Sequence, residues 1–157
     1  PPPPPPPPLF FFTPTRPTAI LSGLVGSEMC IRDRCEHILK NESSFDVVVG
    51  ISRGGLVPAV MISHRLNLPL LTMSVTLRDN LARVQSLKIK KGERALVVDD
   101  INDSGHTLSM ISEFFKQRHI RASYAVLQNK TSSNFTVDYW GTLQDNDNWI
   151  NFPWETK

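Results

Sequence analysis

At 157 residues the chain is long enough for one domain with a real core, and 40% hydrophobic with 20% charged residues is an ordinary globular balance. A net charge of +2 is too small to imply nucleic acid, and no apolar run reaches the ~18 residues of a membrane span, so neither partner is expected. The two cysteines, Cys30 and Cys35, make no spaced framework, which points to a reducing, cytoplasmic compartment.

Residues 1–34 stand apart. Eight of the 13 prolines are Pro1 to Pro8, followed by "LFFFTPTRPTAILSGLVGSEMCIRDR". A proline run of this kind forms an exposed polyproline II rod. A secretory signal fits poorly: "AILSGLVG" is short, only Arg16 is basic near its start, and no small-x-small cleavage site precedes Cys30. The third reading is that the segment is not protein sequence. Proline codons begin CC and phenylalanine codons TT, so both runs can arise from homopolymer tracts, and "SGLVGSEMCIRDR" resembles translated sequencing adapter. Residues 1–34 are therefore set aside as a non-native or disordered segment, and 35–157 are taken as an N-terminally truncated domain.

From Phe45 strand and helix signals alternate. "FDVVVGI" is a short β-branched run suited to a buried parallel strand. "GGLVPAVMISHRLN" predicts a helix with Val57, Val60, Met61 and Leu66 towards the core and Pro58 in the first turn, where proline is tolerated. "LPLLTMSV" predicts a second strand. Residues 76–92 are charged and weakly periodic; they read as a solvated connection or a flap over a binding crevice. The basic cluster Lys88, Lys90, Lys91 and Arg94 reads as a solvated face. "RALVVDD" predicts a third strand and "HTLSMISEFFKQRH" a second helix with Leu108, Ile111, Phe114 and Phe115 inward. "ASYAVLQ" and "FTVDYWG" predict strands four and five. This order implies an α/β fold, a mainly parallel sheet flanked by helices, with ligands outside the strand carboxyl ends.

Two loops lie at those ends, each just before a helix. In "DDINDSGHT", residues Asp103, Ser104, Gly105, His106 and Thr107 lead into the helix. Their backbone N–H groups lack intrahelical partners, so this is an anion site or a plain helix cap. Asp99 and Asp100 sit a few residues back. Carboxylates accept from paired sugar hydroxyls and hold magnesium, so a ligand with a phosphate at one end and a ribose diol nearby satisfies both halves. In "GISRGG", Ser52, Arg53, Gly54 and Gly55 offer N–H groups and a guanidinium to a second anion, or form a tight turn. The loop lacks the Gly-Lys-Ser/Thr of a P-loop and the G-x-G-x-x-G of a dinucleotide site. His64, His106 and His119 read as surface or cap positions, with no side-chain role.

"VVVGISRGGLVPAV" together with "ALVVDDINDSGHTL" resembles the type I phosphoribosyltransferases, and the tail "DNDNWINFPWE" resembles their xanthine-guanine (6-oxopurine) branch. The likeness covers roughly residues 36–155. It implies the family fold with a small C-terminal hood and a purine phosphoribosyltransferase of nucleotide salvage. Phosphoribosyl pyrophosphate and Mg2+ bind, with the 5-phosphate on Asp103–Thr107, the ribose or metal on Asp99 and Asp100, and the pyrophosphate on Ser52–Gly55. By the same likeness Asp103 takes the base proton, Lys130 reads the purine 6-oxo group, Trp149 stacks on the base and Ile150 offers main-chain contacts. A cis Ser52–Arg53 peptide and a homo-oligomer are also implied. One alternative is a non-catalytic nucleotide-binding regulator of the same fold. Another is a phospho-receiver domain, suggested by "LVVDD"; too little chain follows Asp100 to complete one.

Overall fold

A computed structural model describes residues 44–75, 88–146, 150, 152 and 154. Five strands form a sheet: β1 (Val47–Ser52), β2 (Leu70–Ser74), β3 (Arg94–Asn102), β4 (Arg121–Lys130) and β5 (Tyr139–Gln144). Their order is β2-β1-β3-β4-β5 and every pairing is parallel. The strands at the centre are buried on both faces, which is why they read as continuous β-branched runs rather than alternating ones.

Helix α1 (Leu56–Leu66) covers one face and α2 (His106–Gln117) the other. On the α1 face Ala59 and Ile62 pack with Val48, Leu96, Val98 and Leu127. On the α2 face Leu108, Ile111 and Phe115 pack with Val49, Val97 and Val126. Phe115 is 1% exposed, so truncating it to alanine would cost about 3–5 kcal/mol. Helix α1 ends where Asn67 turns left-handed at φ 52° and its N–H bonds the carbonyls of Ser63 and His64.

Several elements depart from the sequence reading. The buried stripe of α1 is Pro58, Ala59, Ile62 and Ser63, while Val60 is 39% exposed. The helix turns its small residues inward to approach the sheet closely, and Ser63 satisfies its hydroxyl on the carbonyl of Val60 at 3.1 Å. Strand β3 continues through Asn102, so the acidic pair lies inside the strand rather than at its end. Lys130 is the last residue of β4, not a loop residue beyond it.

The fifth strand begins at Tyr139, not Phe135. Phe135 and Val137 instead belong to an extended link, 131–138, that packs on the α2 face. Their apolar alternation serves that packing and mimics a strand. The expected solvated connection or flap falls largely on 76–87, outside the described residues. Lys88, Lys90 and Lys91 are exposed, and Arg94 lies over the Phe45 ring at 5.0 Å.

Candidate active site

Strand order reverses between β1 and β3, because β1 leads outward to β2 while β3 leads the other way to β4. At such a point the loops leaving the two strands part and open a crevice. Here that crevice is a cavity of about 350 Å³. Ser52, Arg53 and Gly54 line it from the first loop, Asp99 and Asp100 from β3, and Asp103 to Thr107 from the second loop. Lys130 enters from β4, and Ile150 and Phe152 from the C-terminal residues.

The first loop has the cis Ser52–Arg53 peptide that the resemblance implied. Its side chains divide. Arg53 is exposed at the cavity. The hydroxyl of Ser52 turns towards β2, sharing a 2.8 Å hydrogen bond with Ser74 Oγ and donating to the carbonyl of Met73 at 3.3 Å. What Ser52 offers an anion is therefore its backbone. Gly54 lies against the Asp100 carboxylate, which a Cβ would overlap. Gly55 does not line the cavity; it is buried at the start of α1 on the Val98–Asp99 backbone, where a Cβ would sit 2.6 Å from the Val98 carbonyl oxygen.

The acidic pair is buried, with Asp99 8% and Asp100 6% exposed. Local backbone donors hold it: the Asp100 N–H donates to Asp99 Oδ1 at 3.0 Å, and the Ile101 N–H to Asp100 Oδ1 at 2.8 Å. Burial, and then the charge and side chain of Asp100 alongside, push the Asp99 carboxyl well above the ordinary value of 3.8. Such a pair is relieved by a partner that donates hydrogen bonds or carries positive charge. Among the described residues no cluster of three or more His, Cys, Asp or Glu is disposed to hold a metal. Two carboxylates fit a magnesium ion that completes its shell with substrate oxygens and water.

The second loop turns at Gly105, with φ 84°, a conformation that side chains rarely adopt. No side chain of Gly105 can cap α2, and its first turn holds no acidic residue, so the helix start faces the cavity with its positive dipole end uncompensated there. Ser104 Oγ accepts weakly from the His106 N–H at 3.4 Å. His106 is exposed at the cavity, whereas His64 and His119 are exposed at the ends of α1 and α2; His119 has φ 55°.

Beside this loop Lys130 Nζ lies 2.7 Å from Asp103 Oδ1. The lysine side chain is 8% exposed and the aspartate 55%, so a buried cation is held by a carboxylate that remains open to solvent. A donor and an acceptor are thus presented side by side at the cavity wall.

Trp149 lies outside the described residues. Ile150 lines the cavity and packs with Phe152 and Trp154 on the α1-side core, with the Phe152 and Trp154 rings stacked at 5.0 Å. Two residues at the site were missed from sequence. Phe152 carries no distinguishing signal of its own beside the tryptophan and Pro-Trp pattern of the tail. Asn102 closes β3 at 1% exposure, and no local pattern in the sequence marks it.

A family model described as the phosphoribosyl transferase domain matches residues 26–157. The xanthine-guanine phosphoribosyltransferase of Idiomarina loihiensis is 33% identical over 116 residues, 69% of this chain and 70% of that one. The protein of that name from Cereibacter sphaeroides is 32% identical over 73% of this chain and 72% of its own. Among solved structures, the purine phosphoribosyltransferase of Pyrococcus horikoshii Ot3 superposes with a TM-score of 0.76 at 29% identity, covering 85% of this chain and 92% of that one. A parallel sheet with two glycine-bearing loops lining one cavity at its order reversal, and relatives of one activity along most of its length, lead to one assignment: the chain belongs to the phosphoribosyl transferase domain family.

Proposed function

We propose that the protein transfers the 5-phosphoribosyl group from phosphoribosyl pyrophosphate to a 6-oxopurine and releases pyrophosphate, a step of nucleotide salvage. The observation that carries this reading is the Lys130–Asp103 pair, 2.7 Å apart at the cavity. The O6 and N7–H edge of a 6-oxopurine presents an acceptor beside a donor. A lysine ammonium is donor-only and an ionised aspartate acceptor-only, so the pair matches that edge in both positions.

In this reading the 5-phosphate lies on the backbone N–H groups of Asp103–Thr107 and the pyrophosphate on the backbone of Ser52–Gly54 with Arg53, while Gly55, buried at the start of α1, seats that loop against β3. The ribose hydroxyls donate to Asp99 and Asp100. Base nitrogen attacks the anomeric carbon while the carbon–pyrophosphate bond breaks, through a transition state with oxocarbenium character. Asp103 accepts the imidazole proton, and Lys130 stabilises charge gathering on O6. Trp149 stacks on the ring and Ile150 offers main-chain contacts. Asp99 and Asp100 would hold magnesium together with ligand oxygens; when bound, the ion neutralises the pyrophosphate and orients it for departure.

We also propose a domain spanning 35–157, a homo-oligomer and a cytoplasmic location. Among the described residues no helix is long and apolar enough to cross a membrane. The test is pyrophosphate release measured with guanine, xanthine, hypoxanthine, adenine and orotate, alongside calorimetric binding of phosphoribosyl pyrophosphate with and without magnesium. Turnover with at least one 6-oxopurine, little with adenine or orotate, and tighter binding with magnesium are expected. Binding without turnover would instead identify a regulator of the same fold. Asp103→Ala is expected to lower turnover more than binding.

A further inference from the structure

One buried amide at the cavity has no part in the chemistry proposed above. Asn102, the last residue of β3, is 1% exposed and has partners on both sides. Its Nδ2 donates to Asn129 Oδ1 at 2.7 Å and to the carbonyl oxygen of Phe135 at 2.9 Å. Its Oδ1 accepts from Ser133 Oγ at 2.9 Å. The Phe135 carbonyl can only accept, so the orientation of the amide is fixed by its neighbours. Both N–H donors are used, and a buried group so satisfied holds its partners in one arrangement.

Those partners belong to the two pieces of chain that carry the site. Asn129 pairs with Asn102 across the β3–β4 register and immediately precedes Lys130. Ser133 and Phe135 lie in the link that backs the second anion loop. A Cβ on Gly105 would sit 2.7 Å from the Phe135 nitrogen and 2.8 Å from Ser133 Oγ. The Asn134 N–H donates to the Ser104 carbonyl at 3.2 Å.

We infer that Asn102 is a positioning residue for the phosphate loop: by clamping 133–135 against the end of β3, it sets where the backbone of Ser104 and Gly105 stands for the 5-phosphate. The inference rests on the phosphate role proposed for Asp103–Thr107. Asn102 itself touches no reacting atom. Its amide acts through the link, and its neighbour Asn129 fixes the strand end from which Lys130 reaches Asp103.

Two variants separate the amide's hydrogen bonds from its volume and charge. Asn102→Asp keeps the shape but sets an acceptor against the Phe135 carbonyl. Asn102→Leu removes every bond without adding a carboxylate. Each is expected to raise the Michaelis constant for phosphoribosyl pyrophosphate by roughly ten- to a hundredfold, the loss that follows when buried partners go unpaired and a binding loop shifts. Each is also expected to speed amide exchange at Asn134 and Phe135 while β1 amides keep their protection. A merely structural role would lower the folded fraction, and with it the maximal rate, at an unchanged Michaelis constant. Should both variants fail to fold, Ser133→Ala removes one bond of the three and carries the same test, with a smaller rise expected. Wild-type Michaelis constants in Asn102→Leu and Ser133→Ala would overturn the inference and leave the proposed function standing. Wild-type protein that binds no phosphoribosyl pyrophosphate would overturn both.

Discussion

Replacing Lys130 by methionine keeps most of an unbranched stem and removes the ammonium. That ammonium is 2.7 Å from Asp103 Oδ1 on a side chain only 8% exposed, so water is a poor substitute for a lost partner there. A hydrogen bond from a charged donor contributes about 1.5–3 kcal/mol. At about 1.4 kcal/mol per decade this is a loss of roughly 10- to 150-fold in kcat/KM for a 6-oxopurine. Adenine carries an amino group at position 6 and meets the wild-type lysine donor to donor, a mismatch that the variant removes. Efficiency with adenine therefore holds or rises, and the 6-oxopurine preference narrows by at least the same factor. Stability changes little, because Asp103 is 55% exposed and regains water when the pair is broken. The assay is pyrophosphate release over a concentration series of guanine, hypoxanthine, xanthine and adenine, with thermal melts to confirm folding. A variant with the wild-type ratio between guanine and adenine would refute the assignment of Lys130 to the 6-position.

Asp99→Asn removes a charge that burial and Asp100 disfavour. The folded chain keeps the Asp99 proton to higher pH than the unfolded chain. Stability from this group is therefore full below the ordinary value of 3.8 and declines as pH rises through the elevated one. In metal-free buffer the variant should melt above wild type at pH 8, with the gain shrinking towards pH 4, while its affinity for phosphoribosyl pyrophosphate falls; a pH-independent gain would contradict this. Gly105→Ala and Gly92→Ala both place a side chain at positive φ, but only at Gly105 does the Cβ meet neighbours, Gly92 having nothing within 4 Å. Gly92→Ala should cost about 1 kcal/mol with no change in ligand affinity, and Gly105→Ala more than that together with weaker phosphoribosyl pyrophosphate binding; equal denaturation midpoints would sink the comparison. Deleting residues 1–34 should move the melting temperature by less than about 2 °C, a change of roughly half a kcal/mol. A larger fall would place the segment in the fold.

The strands were legible in the sequence where burial on both faces made them continuous, as in Val47–Ile51 and Leu96–Val98. The face of α1 was not, because hydrophobicity favours Val57 and Val60 while close packing on a sheet favours Ala59 and Ser63. Phe135 and Val137 alternate as a strand does, and only their packing distinguishes a crossing link from a ladder. The two loops could be read from residue chemistry, since glycine beside Ser and Asp before a helix has few uses. Roles for Lys130, Trp149 and Ile150 came from family likeness alone. Asn102 could not be read at all: its partners are 27, 31 and 33 positions away, a distance over which sequence carries no local pattern.

The link 131–138 joins two adjacent parallel strands without a helix. Pairing of Ala125 with Tyr139 means that the chain, having reached Lys130, must return five residues along β4 before β5 begins. That is about 17 Å of travel at about 3.3 Å per residue, plus the turn that reverses direction. Eight linking residues have about 27 Å of reach, and the reversing turn together with the seating of Ser133 and Phe135 takes up the roughly 10 Å that remain. Surface connections ordinarily absorb insertions and deletions between relatives. This one has the length tolerance of a core element: losing two residues would pull β5 out of register or lift Ser133 and Phe135 from Asn102. In a library of single-codon deletions the segment should therefore be as intolerant as β3, and far less forgiving than the exposed turn at Lys91 and Gly92.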